Sequence, residues 1–159
     1  MAVSLLPVIG KPAPDFTLPS TTGETISLKQ FKGKKTVVLY FYPKDETPGC
    51  TKEACAFRDA YGDLDRQGVV LLGVSTDNMD SHLAFRDHHK LPFPLLSDED
   101  AVVSKLYGVY KQKNLYGKKY MGIERTTFVI DKTGRIAQIW PKVKVDGHIQ
   151  DVLEFVAED

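Results

Sequence analysis

Cysteine is scarce in this 159-residue chain, which has two, Cys50 and Cys55. Two thiols cannot make the dense disulfide framework of a small secreted domain, and a four-ligand zinc site would need two more thiols or well-placed histidines. A dominant sign of charge is also missing, because 21 Lys and Arg balance 21 Asp and Glu. Nothing global then attracts a polyanion or an anionic membrane, and nucleic acid is set aside as a partner. No apolar run approaches the ~20 residues that span a bilayer. The opening Met1-Ala2-Val3-Ser4-Leu5-Leu6-Pro7 lacks a basic stretch and is cut at Pro7, so it does not read as a signal peptide. Internal repeats and low-complexity segments are absent too. These absences predict a soluble chain in a reducing compartment, the cytoplasm, folded as one domain over residues 1–159.

What is present is a run of alternating elements. Thr36-Val37-Val38-Leu39-Tyr40-Phe41-Tyr42 is β-branched and aromatic and reads as a buried strand stopped by Pro43. Thr47 is placed to cap a helix and Pro48 suits its first turn. Glu53 and the apolar spacing of Ala54, Phe57, Tyr61 and Leu64 carry that helix to about Gln67. A strand over residues 69–75 follows, then a helix over 79–89 capped by Asp77 and ended by Leu91-Pro92-Phe93-Pro94. Together they predict a βαβ unit with parallel strands.

Upstream, a Pro-rich arm reaches Pro19, and Thr22-Gly23-Glu24 turns a small hairpin between residues 16–18 and 25–28, with a helical turn over 28–31. Downstream come a short helix over 101–107 and a Gly- and Lys-containing segment through Gly122 that receives no assignment. A hairpin of residues 125–130 and 136–140 then turns at Asp131-Lys132-Thr133-Gly134, and an amphipathic helix spans 147–156. The order predicts an α/β chain with a thioredoxin-like fold, a central mixed sheet flanked by helices, plus an N-terminal β-hairpin extension.

The two thiols are placed unequally. Cys50 falls in the first helical turn, where unpaired backbone N–H groups and the positive end of the helix dipole favour an anion, here a thiolate. Cys55 lies further along, where that help has faded. Residues five apart on an ideal helix are rotated by about 140° with Cα atoms roughly 8.7 Å apart, whereas a disulfide needs them within about 7 Å. A Cys50 to Cys55 disulfide therefore requires the first turn or more to unwind. The C-x4-C spacing also differs from the C-x2-C of zinc sites and thioredoxins.

Taken singly, other residues have ordinary readings. Thr47 is a cap, Pro43 a strand terminator, Arg125 a solvated charge and Cys55 a small packing residue or a reactant. His82, His88 and His89 read as a solvated helix end rather than as metal ligands, and Asp98-Glu99-Asp100 as the cap of the following helix. Lys111, Lys113, Lys118 and Lys119 read as surface charge.

The combination resembles a known family. Pro43-x3-Thr47-x2-Cys50 is similar to the P-x-x-x-T-x-x-C signature of the peroxiredoxins, and T-P-G-C-T-K-E-A-C resembles their bacterioferritin comigratory protein, or peroxiredoxin Q, subfamily. The similarity runs from Gly10-Lys11-Pro12-Ala13-Pro14-Asp15-Phe16 through the Arg125 strand to the final helix. It implies a thiol peroxidase acting on hydrogen peroxide and organic hydroperoxides. Cys50 takes the role of the peroxidatic cysteine, and the Thr47 hydroxyl is expected to hydrogen-bond thiolate and peroxide. Pro43 shields the thiolate, and Arg125 points into the same pocket. Cys55 matches the resolving cysteine, giving an intramolecular disulfide that a dithiol such as thioredoxin reduces. The resemblance implies no cofactor and no metal, and intramolecular resolution suits a monomer. A thiol-disulfide oxidoreductase or a redox sensor on the same fold is the competing expectation.

Overall fold

The computed structural model describes residues 6–157. A hairpin of β1 (Thr17–Pro19) and β2 (Thr25–Ser27) comes first, followed by a 3-10 turn over Leu28–Phe31. Then come β3 (Thr36–Phe41), α1 (Pro48–Arg66), β4 (Val69–Ser75), α2 (Met79–His89) and β5 (Leu95–Ser97). The chain continues through α3 (Val102–Leu106), β6 (Tyr110–Leu115), β7 (Lys118–Ile123), β8 (Thr126–Ile130), β9 (Ile136–Trp140) and α4 (His148–Ala157). The predicted mixed sheet flanked by helices, with its N-terminal hairpin, is what forms.

The central sheet has the order β5-β4-β3-β8-β9, parallel on the β5 and β4 side and antiparallel toward β9. Its middle strand shows why the sequence around residue 40 is apolar at every position. Val38, Tyr40 and Tyr42 point into a core built with Ala54, Phe57 and Leu64 of α1, Phe85 of α2 and Val152 of α4. Val37, Leu39 and Phe41 point into a second core with Phe16, Leu18, Ile26 and Val103. A strand buried on both faces loses the polar alternation of a half-exposed one.

Tyr40 stacks on Phe57 with centroids 4.7 Å apart, opposite Gly73 on β4. A Cβ at Gly73 would lie 2.9 Å from Tyr40 Cζ, so only glycine leaves room for the ring.

The structure departs from the sequence reading at three places. β5 was absent from it, because three residues behind two prolines give too short a pattern. The segment through Gly122 is the β6–β7 hairpin, turned at Tyr116 and Gly117, both with positive φ as a tight two-residue turn requires. Its strands are mostly exposed and rich in lysine, so they carry no apolar alternation. Asn78, not Asp77, caps α2 by accepting from Ser81 N at 2.9 Å. Asp98 does serve the start of α3, accepting from Val103 N and Ser104 N. No helix among the described residues is long and apolar enough to cross a membrane.

Candidate active site around Cys50

The loop between β3 and α1 is built around one buried carboxylate. Asp45 Oδ1 accepts from Tyr42 Oη at 2.6 Å, and Oδ2 accepts from Ser81 Oγ at 2.8 Å and faces His82 Nδ1 at 2.7 Å. The other nitrogen of His82 meets the Leu96 carbonyl at 2.9 Å. A carbonyl only accepts, so Nε2 carries a hydrogen and Nδ1 shares a proton with Asp45. Asp45 N in turn donates to Asp77 Oδ2 at 2.8 Å, which also accepts from Ser75 Oγ at 2.6 Å. This network ties residues 43–47 to α2 and to the strand ends. His82 is fully buried, which corrects its reading as part of a solvated helix end.

Cys50 is the third residue of α1 and is 2% exposed. Arg125, one residue before β8, points at it, with Nη2 3.3 Å from Sγ and Nη1 2.6 Å from Glu53 Oε1. Glu53 follows Cys50 by three residues and shares its helix face, so one guanidinium spans both groups. Room for that fork depends on Gly49, where a Cβ would stand 3.1 Å from Nη2. The Arg125 carbonyl is fixed by Val143 N at 2.9 Å.

The electrostatics follow from burial. Glu53 has no exposure and its Oε2 has no hydrogen-bond partner; loss of hydration pushes its carboxyl up to about 7 despite the pull of Arg125. Burial pulls Arg125 down, but Glu53 and Cys50 beside it outweigh that and hold it above its ordinary value. The Tyr40 hydroxyl, also unpartnered, is driven well above a tyrosine's usual range by burial and then by Glu53 and Cys50. Lys113 of β6 is half-buried and lowered, by desolvation first and by Arg125 next, so the hairpin lies within electrostatic reach of the site.

The other expected residues are nearby in the chain, with one change of partner. Thr47 is the N-cap with extended backbone and its carbonyl accepts from Thr51 N at 2.8 Å, yet its side chain makes no cap bond. The hydroxyl donates to Lys44 O at 2.7 Å instead of meeting Cys50. Pro43 is half-buried at the end of β3. Cys55 is a free, half-buried thiol, and both cysteines stand in one unbroken helix. Sequence reasoning missed Asp45 altogether and treated Glu53 as helix support. An acidic residue on the otherwise apolar face of α1 was the available signal for Glu53, since burial of such a group calls for a partner.

A thiol at a helix N-terminus with a fixed guanidinium 3.3 Å away is a nucleophile with a preformed donor beside it. Residues 9–139 match the AhpC/TSA family. Peroxiredoxin Bcp of Bacillus subtilis is 49% identical over 92% of this chain and 92% of its own length. Peroxiredoxin Bcp of Escherichia coli is 42% identical over 94% and 95%. Bacterioferritin comigratory protein of Xanthomonas campestris, whose structures concern its alkyl peroxide reduction activity, superposes with a TM-score of 0.88 at 38% identity over 95% of this chain and 98% of that one. The buried cysteine, its arginine and the sheet that holds them thus belong to a member of the AhpC/TSA family, a peroxiredoxin of the Bcp and peroxiredoxin Q kind, and so a thiol peroxidase.

Proposed function

We propose that Cys50 is the peroxidatic cysteine and that Cys55 resolves it within the same chain. The Cys50 thiolate attacks one peroxide oxygen, an S–O bond forms as the O–O bond breaks, and the departing oxygen leaves as water or an alcohol once protonated. Cys50 is then a sulfenic acid. The Cys55 thiolate attacks that sulfur, expels hydroxide as water, and leaves a Cys50 to Cys55 disulfide. A thioredoxin-type dithiol returns both thiols with two electrons.

The observation that carries this reading is the Arg125 Nη2 contact to Cys50 Sγ at the helix start. Charge develops on the leaving oxygen in the transition state, and a fixed guanidinium beside the sulfur stabilises it there more than in the ground state. Glu53 positions the guanidinium. Pro43 closes the strand side of the thiol. The Thr47 hydroxyl, bonded here to Lys44 O, turns to the peroxide when substrate enters. Hydrogen peroxide and organic hydroperoxides both fit this chemistry, and the alkyl peroxide activity of the Xanthomonas campestris relative supports the second. The reaction needs no metal or cofactor, one chain contains both thiols, and a reducing cytoplasm with a monomeric enzyme completes the reading.

Trapping tests it. With one equivalent of peroxide and dimedone, Cys55→Ser is expected to give a stable adduct on Cys50 by mass spectrometry, while the parent protein gives mainly the intramolecular disulfide, reducible by thioredoxin. Equal adduct yields in both proteins would remove Cys55 from the cycle.

A further inference from the structure

The loop that precedes Cys50 also carries a carboxylate aimed at two histidines. Glu46 Oε2 is 2.9 Å from His88 Nδ1, and Glu46 Oε1 is 2.7 Å from His89 Nε2. One ligand atom from each residue lies within 4.8 Å of the other two. His88 and His89 are adjacent in the last turn of α2, yet they converge by presenting different ring nitrogens, with ring centroids 4.2 Å apart. The arrangement is braced from behind. Arg58 Nη1 of α1 donates to the His89 carbonyl at 2.9 Å, and the Phe85 ring meets the His89 ring edge-on at 5.2 Å. Glu46 reaches the histidines from a backbone φ of 62°, a left-handed conformation that a residue with a side chain rarely adopts.

We propose that Glu46, His88 and His89 form a binding site for a divalent transition-metal ion of the zinc type. Two imidazoles and one carboxylate are a borderline donor set that suits zinc, whereas calcium and magnesium take oxygen ligands. Zinc bonds of about 2.0–2.2 Å place tetrahedral ligand atoms roughly 3.3–3.5 Å apart, so the two contacts of Glu46 to the histidines need only a small opening. Side-chain exposures of 67% for His88 and 43% for Glu46 leave an approach for the ion and for water in the fourth position, while His89 at 17% supplies the fixed wall. The histidines that sequence alone assigned to a solvated helix end acquire a third ligand from a segment more than forty residues away.

Glu46 stands four residues before Cys50, so the ion would bolt the loop of Pro43 to Thr47 to the end of α2. This coupling rests on the proposed disulfide cycle. A loop so held resists the unwinding that a Cys50 to Cys55 disulfide requires, and zinc should slow resolution.

The site itself is tested without thiols. Zinc sulfate titrated by calorimetry into the full chain carrying Cys50→Ser and Cys55→Ser is expected to saturate at one equivalent. Adding His88→Ala with His89→Ala, or Glu46→Ala alone, is expected to weaken binding at least tenfold in proteins whose circular dichroism is unchanged. Absence of a saturable equivalent, or binding indifferent to all three residues, overturns the site whatever Cys50 does. With both cysteines present, zinc is expected to slow disulfide formation at least twofold, and not at all once His88 and His89 are alanine; an equal zinc effect in the two proteins overturns the coupling.

Discussion

Arg125 reaches Cys50 and Glu53 at once because its guanidinium has several donors held in one plane. A lysine has a single point of charge and must choose between them. Arg125→Lys is therefore expected to slow peroxide reduction by roughly 10²-fold, the loss typical of one fixed donor to a developing oxyanion. Stopped-flow peroxide consumption checks it, and a rate within about twofold of the parent would show that charge alone suffices. Cys50 was legible in the sequence because capping residues, proline and the strand before it all act within a few positions. The guanidinium contact to Glu53 joins residues 72 apart in sequence, and no local rule reports such a pairing; only the family resemblance placed Arg125 near the thiol. Asp45 was illegible for the same reason, whereas Glu53 showed itself only as an acidic residue on the apolar face of α1.

At the scale of elements, the loop before α1 is the segment to break. Asp45→Ala leaves His82 and the Tyr42 hydroxyl buried without their shared acceptor. Leaving a buried donor or acceptor without its partner costs about 1–3 kcal/mol, so the urea midpoint should fall accordingly, and a loss under about 1 kcal/mol would mean the network relaxes into water. Helix α1 carries a second expectation. Its continuity from Pro48 to Arg66 places both cysteines on one rigid rod, so amide exchange over residues 47–58 should speed up in oxidised protein, and equal protection in both states would contradict unwinding. The helices and the inner strands were readable from periodicity and turn residues. The β6–β7 ribbon was not, because it is held by strand pairing and a positive-φ turn rather than by an apolar face.

Across the whole molecule, two buried groups give opposite responses to acid. Glu53 titrates near 7 in the fold and at 4.5 when free, so the folded chain holds a proton over that window which the unfolded chain releases. Its contribution to stability falls as pH rises from 4.5 to 7. His148, packed against Phe57 and Trp140 and bonded to Thr127 Oγ1 at 2.8 Å, is pushed from 6.5 to about 4, chiefly by burial. The unfolded chain then binds the extra proton, and stability falls as pH drops from 6.5 to 4. Each masks the other in the parent protein. Glu53→Gln should lose stability more steeply toward acid and His148→Gln less steeply, read as urea midpoints between pH 4 and 7.5; parallel curves for all three proteins would mean neither carboxyl nor imidazole is shifted.

The most direct test of the central claim is one turnover of hydrogen peroxide by fully reduced protein, compared with Cys50→Ser and Cys55→Ser. Fast consumption that vanishes without Cys50 and persists without Cys55 is the predicted result. Consumption that survives Cys50→Ser would contradict the assignment of the buried thiol at the start of α1 as the group that attacks peroxide.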